Sequence, residues 1–560
     1  DWPSQPALGA KFDETLLVKS VDLGSPAWEA GLIAGDRIEL LAVAGQRPPA
    51  FDAANKIGTR AAASAALSHP EPGKELYFEF RRPGVAERMK QLTTVRQRPL
   101  WKFFPSADQR DWVLVMWQGS YYDTSTNGDY LIGWHLNDVT VERQPQFLRA
   151  EQLRRQFQNE TVIDRLLQTR DVAAALKLAL GNNPTPISLG AIEPPMTQLR
   201  LASHEASAPV QANLQVTPRG DNIDFQPKRV ELWINDYRFK TWHDLAPGPF
   251  QAAVTIEPAQ LRAGDNRLTL LAFNRLGGRS DAMATLRNPK SADQPRLVGL
   301  SVGINNYGKS GTPTAGGQRD VLDNLQSAVN DARKQREAWQ KQAGKLYSET
   351  NIVLRLDENA KRDDVLNTLD ALSKQVRPDD RLLLFLAGHG DFVGEGGEAK
   401  SKSRFVFCGP DYSRDKAEQT GIDQDTLFDK LASIPCRKIV IFDACRSGST
   451  VLSPARVLAP NGQGPLILAA CGSNQKSWEH KQYGHGLFTY AILQAFEKGF
   501  ADADRTGPNQ KPDGRIDARE LFDYASRQMP GLLKSINAPE HIQVPQCFPR
   551  ELDRIALIER

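Results

Sequence analysis

Short apolar runs alternate with amphipathic stretches along the C-terminal half of the chain. The runs Leu297–Ile304, Leu382–Ala387 and Ile439–Phe442 are mainly apolar, and glycine or charged residues bound them. Runs of this kind are typical of fully buried parallel strands, and the stretches between them have the periodicity of helices. The alternation predicts an α/β sandwich in which helices cover both faces of a mostly parallel sheet.

The same pattern gives expected bounds for the elements of residues 293–560. Helices are predicted at about residues 322–343, 361–375, 424–433 and 517–527, and a further helix opens at Gly486. The stretch Asp391–Asp411 is predicted to be a loop.

The segments before residue 293 follow other patterns. Residues 193–292 alternate apolar and polar positions in short segments separated by turns, which predicts an immunoglobulin-like β-sandwich. Residues 101–192 are predicted to be a mixed connector region. Its main element is a helix from Phe147 to Leu180 that is interrupted at most once.

The first 100 residues carry a motif of their own. Gly24-Ser25-Pro26-Ala27 is followed by Ala30-Gly31-Leu32 and by Gly35-Asp36-Arg37-Ile38, and this string resembles a PDZ domain. The resemblance implies a groove that binds a peptide by adding a strand to the edge of a sheet. A structural module with a blocked groove is the alternative.

Two residues capable of covalent chemistry follow predicted strands. His389 comes after Leu382–Ala387, and Cys445 comes after Ile439–Phe442. In open α/β sheets the functional groups lie beyond the carboxyl ends of such strands. An imidazole beside a thiol takes up its proton and leaves the thiolate, which attacks carbonyl groups. The pair predicts a cysteine peptidase, and a buried histidine with an inert core cysteine is the alternative.

The sequence around these residues resembles the caspase-like peptidases. His389-Gly390 ends one strand, Asp443-Ala444-Cys445-Arg446-Ser447-Gly448 ends another, and the spacing is 445 − 389 = 56 residues, against about 50 in caspases. The motifs are similar to those of the metacaspase and paracaspase branch, of the prokaryotic orthocaspase type. The resemblance covers nearly all of residues 296–560. It implies a caspase-like domain at 293–560 and an oxyanion hole made by the backbone N–H groups of Gly390 and Cys445.

The same resemblance implies an acidic S1 pocket, which holds the P1 residue before the cleaved bond. Asp331, Asp443 and Glu479 match the pocket positions, and clustered carboxylates suit a guanidinium that pairs with them bidentately. We therefore expect an endopeptidase that cleaves proteins after Arg or Lys. A scaffold that binds peptides and carries an inactive or dormant caspase-like domain is the alternative.

Composition and charge bear on possible partners and on location. The 560 residues include 70 basic and 67 acidic side chains, for a net charge of +3, so no general attraction to nucleic acid follows. A run of 18 apolar residues, which a membrane span requires, is absent from the sequence. Five cysteines without metal-site spacing, one of them needed as a thiol, predict a reducing, cytoplasmic location. Since Asp1 follows no Met or signal pattern, we expect that an upstream part was removed.

The sequence predicts neither a cofactor nor a metal at the site. Many metacaspases depend on calcium through acids after the nucleophile, and Arg446-Ser447-Gly448-Ser449-Thr450 has none. The stretch Asp502–Glu520 partly resembles an EF-hand, but Lys511 occupies a ligand position. A helix N-terminal turn is predicted there, with calcium binding as the alternative.

The expected P1 preference generates a prediction about self-processing. Lys400, Lys402, Arg404 and Arg456 lie in polar stretches predicted to be loops, which are the preferred sites of proteolysis. Prolonged incubation should therefore cleave the chain after these residues, as N-terminal sequencing would detect. Persistence of the intact chain during peptide turnover would show that processing is unnecessary.

Overall fold

The computed structural model describes residues 4–22, 25–43, 62–63, 67, 75–107, 111–116, 121–125, 128–136, 146–181, 194–308, 322–393, 404–445, 447, 464–472, 475–499, 501–502, 512–538, 540–549 and 555–559. The chain forms two compact units, one of residues 1–104, 114–123 and 159–186, and one of residues 105–113, 124–158 and 187–560. None of the helices in these described ranges is long and apolar enough to cross a membrane.

Residues 4–136 are rich in strands. The strands are Ser4–Ala7, Ala10–Phe12, Val18–Val21, Arg37–Val43, Glu75–Arg81, Met89–Thr94, Arg96–Pro99, Trp101–Pro105, Trp112–Met116, Tyr122–Thr124 and Gly133–Leu136, with a short helix Pro26–Glu29 and a 3₁₀ turn Gly128–Leu131. Arg37–Val43, Glu75–Arg81 and Met89–Thr94 form one antiparallel sheet. Its buried Leu41, Phe78 and Phe80 pack with Val18 and Ala27 in one core. The N-terminal region is therefore β-rich, and its PDZ assignment stays a prediction.

The helix predicted over Phe147–Leu180 is wrong in its first third and broken in the rest. The observed elements are the strand Gln146–Arg149, the 3₁₀ turn Ala150–Leu153 and the helices Arg154–Phe157, Glu160–Thr169 and Val172–Leu180. The side chains of Asn159 and Asp171 accept from the N–H groups of Val162 and Ala174, so each starts a new helix. These local caps override the continuous helical periodicity.

Residues 194–288 form two antiparallel sheets around a common core. One contains Met196–Leu201, Val210–Thr217 and Phe250–Ile256, the other contains Tyr237–Trp242, Pro227–Ile234, Gly264–Asn274 and Arg279–Asn288, and the 3₁₀ turns are Ile223–Phe225 and Pro258–Gln260. Alternate residues of Val210–Thr217 are buried against Leu232 and Leu268 of the other sheet. The alternating segments of the sequence thus form strands. The immunoglobulin-like topology stays a prediction.

A six-stranded mixed sheet forms the centre of the C-terminal region. Its order is Thr350–Leu356, Leu297–Gly303, Arg381–Gly388, Arg437–Ala444, Leu466–Ala469 and Gln546–Phe548. The first five strands are parallel, and the last is antiparallel. We call Arg381–Gly388 the histidine strand and Arg437–Ala444 the cysteine strand.

Helices cover both faces of this sheet, as the sequence predicts. Arg362–Ser373 and Gln424–Ala432 pack on one face, whereas Ala328–Gln340, Leu487–Lys498 and Ala518–Ser535 pack on the other. The remaining elements are the short helix Ala417–Thr420, the 3₁₀ turns Asp357–Asn359 and Arg414–Lys416, and the strands Gly390–Val393, Arg404–Cys408, Gly421–Asp423, Glu479–His480, His485–Gly486, Arg515–Asp517 and Ala556–Glu559.

Two expectations for this region need correction. The helix expected from about residue 322 begins at Ala328, after the N–H groups of Gln326 and Ser327, which donate to the distant Glu479 carboxylate. The stretch Asp391–Asp411 is not simply a loop, because strand Gly390–Val393 pairs with Arg404–Cys408. Arg404 therefore begins a strand and pairs with Glu418, whereas Lys400, Lys402 and Arg456 lie outside the described residues.

The helix N-terminal turn predicted after Asp502 is present. Asp517 caps the helix Ala518–Ser535 in a reciprocal pair with Glu520. The Asp502 carboxylate accepts from the N–H groups of Asp513 and Gly514, and Lys511 lies outside the described residues. These contacts give the acids of this stretch a structural role.

A buried ion cluster links the β-sandwich to the start of the cysteine strand. Asp236 forms an ion pair with Arg262 and lies 3.4 Å from Lys438 Nζ, which also donates to the Asp236 backbone carbonyl at 2.7 Å. Lys438 is 0% exposed and Asp236 is 4% exposed. Burial by itself would raise the pKa of Asp236, but Arg262, Lys438 and Arg437 outweigh it and bring that pKa to about 2. The carboxylate is therefore ionised in the folded protein at ordinary pH.

Removing this carboxylate should destabilise the second unit. Asp236→Asn leaves Lys438 and Arg262 buried without their counter-charge, which costs about 3–5 kcal/mol. Urea unfolding at neutral pH should show the loss of stability. This loss should shrink as the pH falls through 2, because wild-type Asp236 then becomes protonated as well. Asp429→Asn breaks the pair with Arg238 at a side chain that is 61% exposed, and this control should cost less than about 1 kcal/mol. Equal effects of the two variants would contradict the structural role of the cluster.

Candidate active site

The register of the two central strands brings His389 and Cys445 to the same edge of the sheet. The histidine and cysteine strands are parallel neighbours, and their last paired residues are Gly388 and Ala444. His389 and Cys445 each follow directly, and neighbouring strands are about 4.8 Å apart. Both residues line one cleft.

The cleft encloses about 340 Å³, part of it open to solvent. All the predicted site residues except Gly390 are among its lining residues, which are Leu325, Ala328, Asp331, Ala387, Gly388, His389, Asp443, Ala444, Cys445, Ser477, Trp478, Glu479 and Gly486. Within the part of the chain that the structure describes, the lining therefore combines one thiol, one imidazole and three carboxylates, with neither Lys nor Arg.

Backbone contacts fix the orientation of His389. Its Nε2 lies 2.7 Å from the carbonyl oxygen of Asp323, and its backbone N–H donates to the Tyr307 hydroxyl at 2.7 Å. The Tyr307 and His389 rings are 4.7 Å apart. Because a carbonyl can only accept, Nε2 carries the hydrogen, and in the neutral ring Nδ1 is the basic nitrogen. The contacts thus leave Nδ1 available to take up a proton.

Cys445 is half-buried, and its Sγ lies 3.7 Å from the carbonyl oxygen of Ser477. Gly390 lies beside it, since a Cβ at Gly390 would be 2.4 Å from the Cys445 carbonyl oxygen and 2.5 Å from the Phe405 ring. The Cys408 N–H donates to the His389 carbonyl. Hydrogen-bonded pairs alternate along antiparallel strands, so the Gly390 N–H points away from strand Arg404–Cys408.

Asp443 lies on the same face of the cysteine strand as Ile439 and Ile441, because side chains alternate with a period of two. Its carboxylate accepts from the Ser477 hydroxyl at 2.6 Å, and from the N–H and hydroxyl of Thr489 at 3.1 and 2.6 Å. Burial raises the pKa of Asp443, and these hydrogen bonds act in the opposite direction. Asp443 is thus held rigidly within the cleft wall.

Asp331 approaches the cleft from the helix Ala328–Gln340. Its Oδ1 lies 2.5 Å from His485 Nδ1, and its Oδ2 accepts from the Gly486 N–H at 2.9 Å. Burial raises the pKa of Asp331 to about 7, the His485 hydrogen bond opposes the increase, and the Asp443 charge adds to it. A Cβ at Gly486 would lie 2.5 Å from Asp443 Oδ2 and 3.3 Å from Asp331 Oδ2. Both carboxylates therefore lie close to Gly486.

Glu479 begins a two-residue strand that pairs with His485–Gly486. Its carboxylate accepts from the backbone N–H groups of Gln326 and Ser327, both at 2.9 Å. These contacts tie Glu479 to the N-terminus of the helix Ala328–Gln340, where an anion is favoured.

Sequence reasoning missed several residues that arrange this site. Tyr307 follows the first apolar strand, but nothing local indicates a contact with His389 82 positions later. Asp323 contributes only a backbone carbonyl, which has no sequence signal. His485 and Gly486 lie on the hairpin opposite Glu479. For His485, the one available signal was its position as a polar residue just before the helix predicted to open at Gly486.

A methyl group at Gly390 should disturb the cleft. Gly390→Ala would press against the Cys445 backbone and the Phe405 ring, and such overpacking costs about 1–3 kcal/mol. We expect lower stability in urea unfolding and slower alkylation of Cys445 by a small thiol reagent, followed by mass spectrometry. Gly308→Ala is the control, because its nearest atom would be 3.9 Å away. Unchanged stability and alkylation in Gly390→Ala would contradict the close approach.

Comparison with known proteins finds one family model that matches this region. Residues 298–555 match the family model described as Caspase domain. No curated protein matches the chain. Among solved structures, a crystal structure of a Geobacter sulfurreducens protein is 18% identical, with an alignment that covers 45% of this chain and 93% of that one at a TM-score of 0.31. Residues 298–555 are therefore a caspase-like domain, and this supports a cysteine-peptidase-like function.

Proposed function

We propose that the protein is a cysteine endopeptidase that cleaves after Arg or Lys, with Cys445 as nucleophile and His389 as its base. The observation that carries the proposal is the single cleft that contains both residues and the carboxylates of Asp331, Asp443 and Glu479. The acidic lining also favours the metacaspase and paracaspase branch, and polypeptides are the substrates.

The proposed reaction uses groups already described. His389 Nδ1 takes the thiol proton of Cys445, and the thiolate attacks the carbonyl carbon of the P1 residue. The backbone N–H groups of Gly390 and Cys445 donate to the developing oxyanion, and the direction of the Gly390 N–H supports this role. His389 then gives its proton to the leaving amine, and water hydrolyses the thioester.

The charge of the cleft supports a basic P1 residue. Among the described residues its lining has three carboxylates and neither Lys nor Arg, so a guanidinium or ammonium group would balance these carboxylates. Asp443 lies on the cysteine strand two residues before Cys445, which sets the distance from the P1 cation to the attacked carbonyl. Charge-assisted hydrogen bonds to such a cation are shorter and stronger than neutral ones.

A peptide assay separates this proposal from the scaffold alternative. The wild-type protein should release a fluorophore from a peptide that ends in Arg, and Cys445→Ala and His389→Ala should each abolish the release. Absence of Cys445-dependent cleavage, across a library that varies P1, would favour a scaffold with an inactive domain.

Asp443→Asn tests the acidic pocket. The amide fits, because its nitrogen can donate to the Ser477 hydroxyl while its oxygen accepts from Thr489. Truncating a buried charge pair costs about 2–5 kcal/mol, so kcat/KM for Arg peptides should fall at least roughly thirtyfold. Alkylation of Cys445 by a small uncharged reagent should continue. Glu479→Gln should act in the same direction but less, since Glu479 already shares its charge with two backbone N–H groups.

Asp423→Asn is a matched control for Asp443→Asn. Asp423 also accepts from the N–H and hydroxyl of one threonine, Thr426, but it caps the helix Gln424–Ala432 and is not among the cleft lining. Arg cleavage should be unaffected by this change.

Neither pocket variant, Asp443→Asn or Glu479→Gln, should create cleavage after Asp, which would need added positive charge. If Asp443→Asn cleaves Arg peptides as well as wild type, the acidic-pocket proposal fails.

A further inference from the structure

A short hairpin closes one side of the cleft and carries a histidine with no role in the proposed reaction. Its strands are Glu479–His480 and His485–Gly486, with Gly484 in the left-handed region at φ 65°. His485 points to the helix Ala328–Gln340, where its Nδ1 meets Asp331 Oδ1 at 2.5 Å. The Asn330 side chain donates to the Gly484 carbonyl at 2.9 Å, which fixes the hairpin to that helix.

The contact between His485 and Asp331 requires a proton. Two acceptors cannot form a hydrogen bond, so either the imidazole donates to the carboxylate or the carboxyl donates to the imidazole. His485 has 15% side-chain exposure and Asp331 has 3%, so water contributes little to their solvation. A neutral imidazole that donates to the carboxylate leaves the pair with a charge of −1, and one further proton brings its net charge to zero.

The surroundings of the pair are strongly acidic. The titratable groups that face it are Asp443 on the cysteine strand, Glu479 and His480 on the partner strand of the hairpin, and Tyr490 on the helix Leu487–Lys498, whose ring lies 6.4 Å from that of His485. Without that further proton, the pair would place a third negative charge beside Asp443 and Glu479. Like charges in a buried site oppose such ionisation, so the empty cleft favours the protonated pair.

We propose that His485 is a specificity-determining residue that acts through Asp331, and that the pair holds one proton in the empty S1 pocket and releases it when a basic P1 side chain enters. The proposal rests on the function proposed above. The incoming cation supplies the positive charge that the proton supplied before, so the proton leaves to solvent and Asp331 pairs with the P1 group. Only the O–H or N–H bond to the released proton breaks, and charge and protons balance across the exchange.

A pH dependence of defined sign follows. The pKa of Asp331 is raised by burial to about 7, so below this pH the pair keeps its proton and competes with the P1 cation. Above this pH, Asp331 is already ionised before the substrate binds. Affinity for a basic P1 residue should therefore rise by up to about tenfold per pH unit as the pH approaches 7 from below, and then level off.

Calorimetry on Cys445→Ala protein tests the exchange directly. An uncleaved peptide with P1 Arg is titrated at pH 6.5 in phosphate and in Tris, whose ionisation enthalpies differ, and the same peptide with the uncharged isostere citrulline is the reference. We expect about one proton to be released per Arg peptide and none with citrulline. Equal enthalpies in the two buffers with Arg would overturn the proposal.

Two variants identify the source of the proton. Asp331→Asn imitates the protonated carboxyl, because its amide can donate to His485 Nδ1 while its oxygen accepts from the Gly486 N–H. It should bind Arg peptides more weakly and release no proton. His485→Asn keeps a donor to Asp331 but removes the imidazole, so the pH at which Arg affinity levels off should move upward. Release of a full proton by Asp331→Asn would overturn the proposal.

His480→Asn is the control, because His480 pairs with His485 across the hairpin while its Nδ1 accepts from the Gln482 N–H. The His480→Asn variant should release as many protons as the wild type. Loss of proton release in this variant would contradict the assignment to His485. If the Asn variants at 331 or 485 do not fold, the wild-type ratio of kcat/KM for Arg and citrulline peptides should still rise toward pH 7. If Arg peptides are cleaved but the ratio does not change with pH, only this inference is rejected. If Arg peptides are neither bound nor cleaved, the proposed function is rejected as well.

Discussion

The parallel pairing of the histidine and cysteine strands is the constraint on which the site depends. Both strands are almost completely buried, and their register pairs Leu382 with Lys438 through to Gly388 with Ala444. Because side chains alternate across a sheet, a slip by one residue would move Asp443 to the opposite face. The hydrophobic cores on the two faces resist such a slip. The same packing that stabilises the sheet therefore sets the positions of the thiol, the imidazole and the carboxylate.

The cleft holds two buried carboxyl groups close together, which is electrostatically unfavourable. Asp331 and Asp443 are 2% and 7% exposed, and a single glycine, Gly486, lies between them. Hydrogen bonds from Ser477, Thr489 and the Gly486 N–H satisfy the oxygens, but they do not neutralise the charge. Burial raises the pKa values of both groups. A pocket of this kind stabilises an incoming cation more than it stabilises its own empty state.

The β-sandwich is tied to the opposite end of these strands. Asp236 and Arg262 meet Lys438 at the start of the cysteine strand, and the Ala263 N–H donates to the Asp379 carboxylate just before the histidine strand. Trp233 and Leu271 also join the core on one face of the sheet. Buried ion pairs hold a fixed geometry because separating them leaves charges uncompensated. The sandwich is therefore an integral support of the unit that contains the cleft.

The sequence alone determined the central apolar strands and the edge of the sheet where chemistry is expected. Apolar runs and the residues that follow them are local signals, so they indicated His389, Cys445 and Asp443 together with most of the helices. Only the tertiary structure decided which atoms meet: the Asp323 carbonyl on His389, the Gln326 and Ser327 N–H groups on Glu479, and His485 on Asp331. The residues of each pair are separated by 66 to 154 positions. Contacts over such separations arise from packing of the whole domain, and a backbone carbonyl or N–H carries no residue-type signal by which a sequence could reveal them.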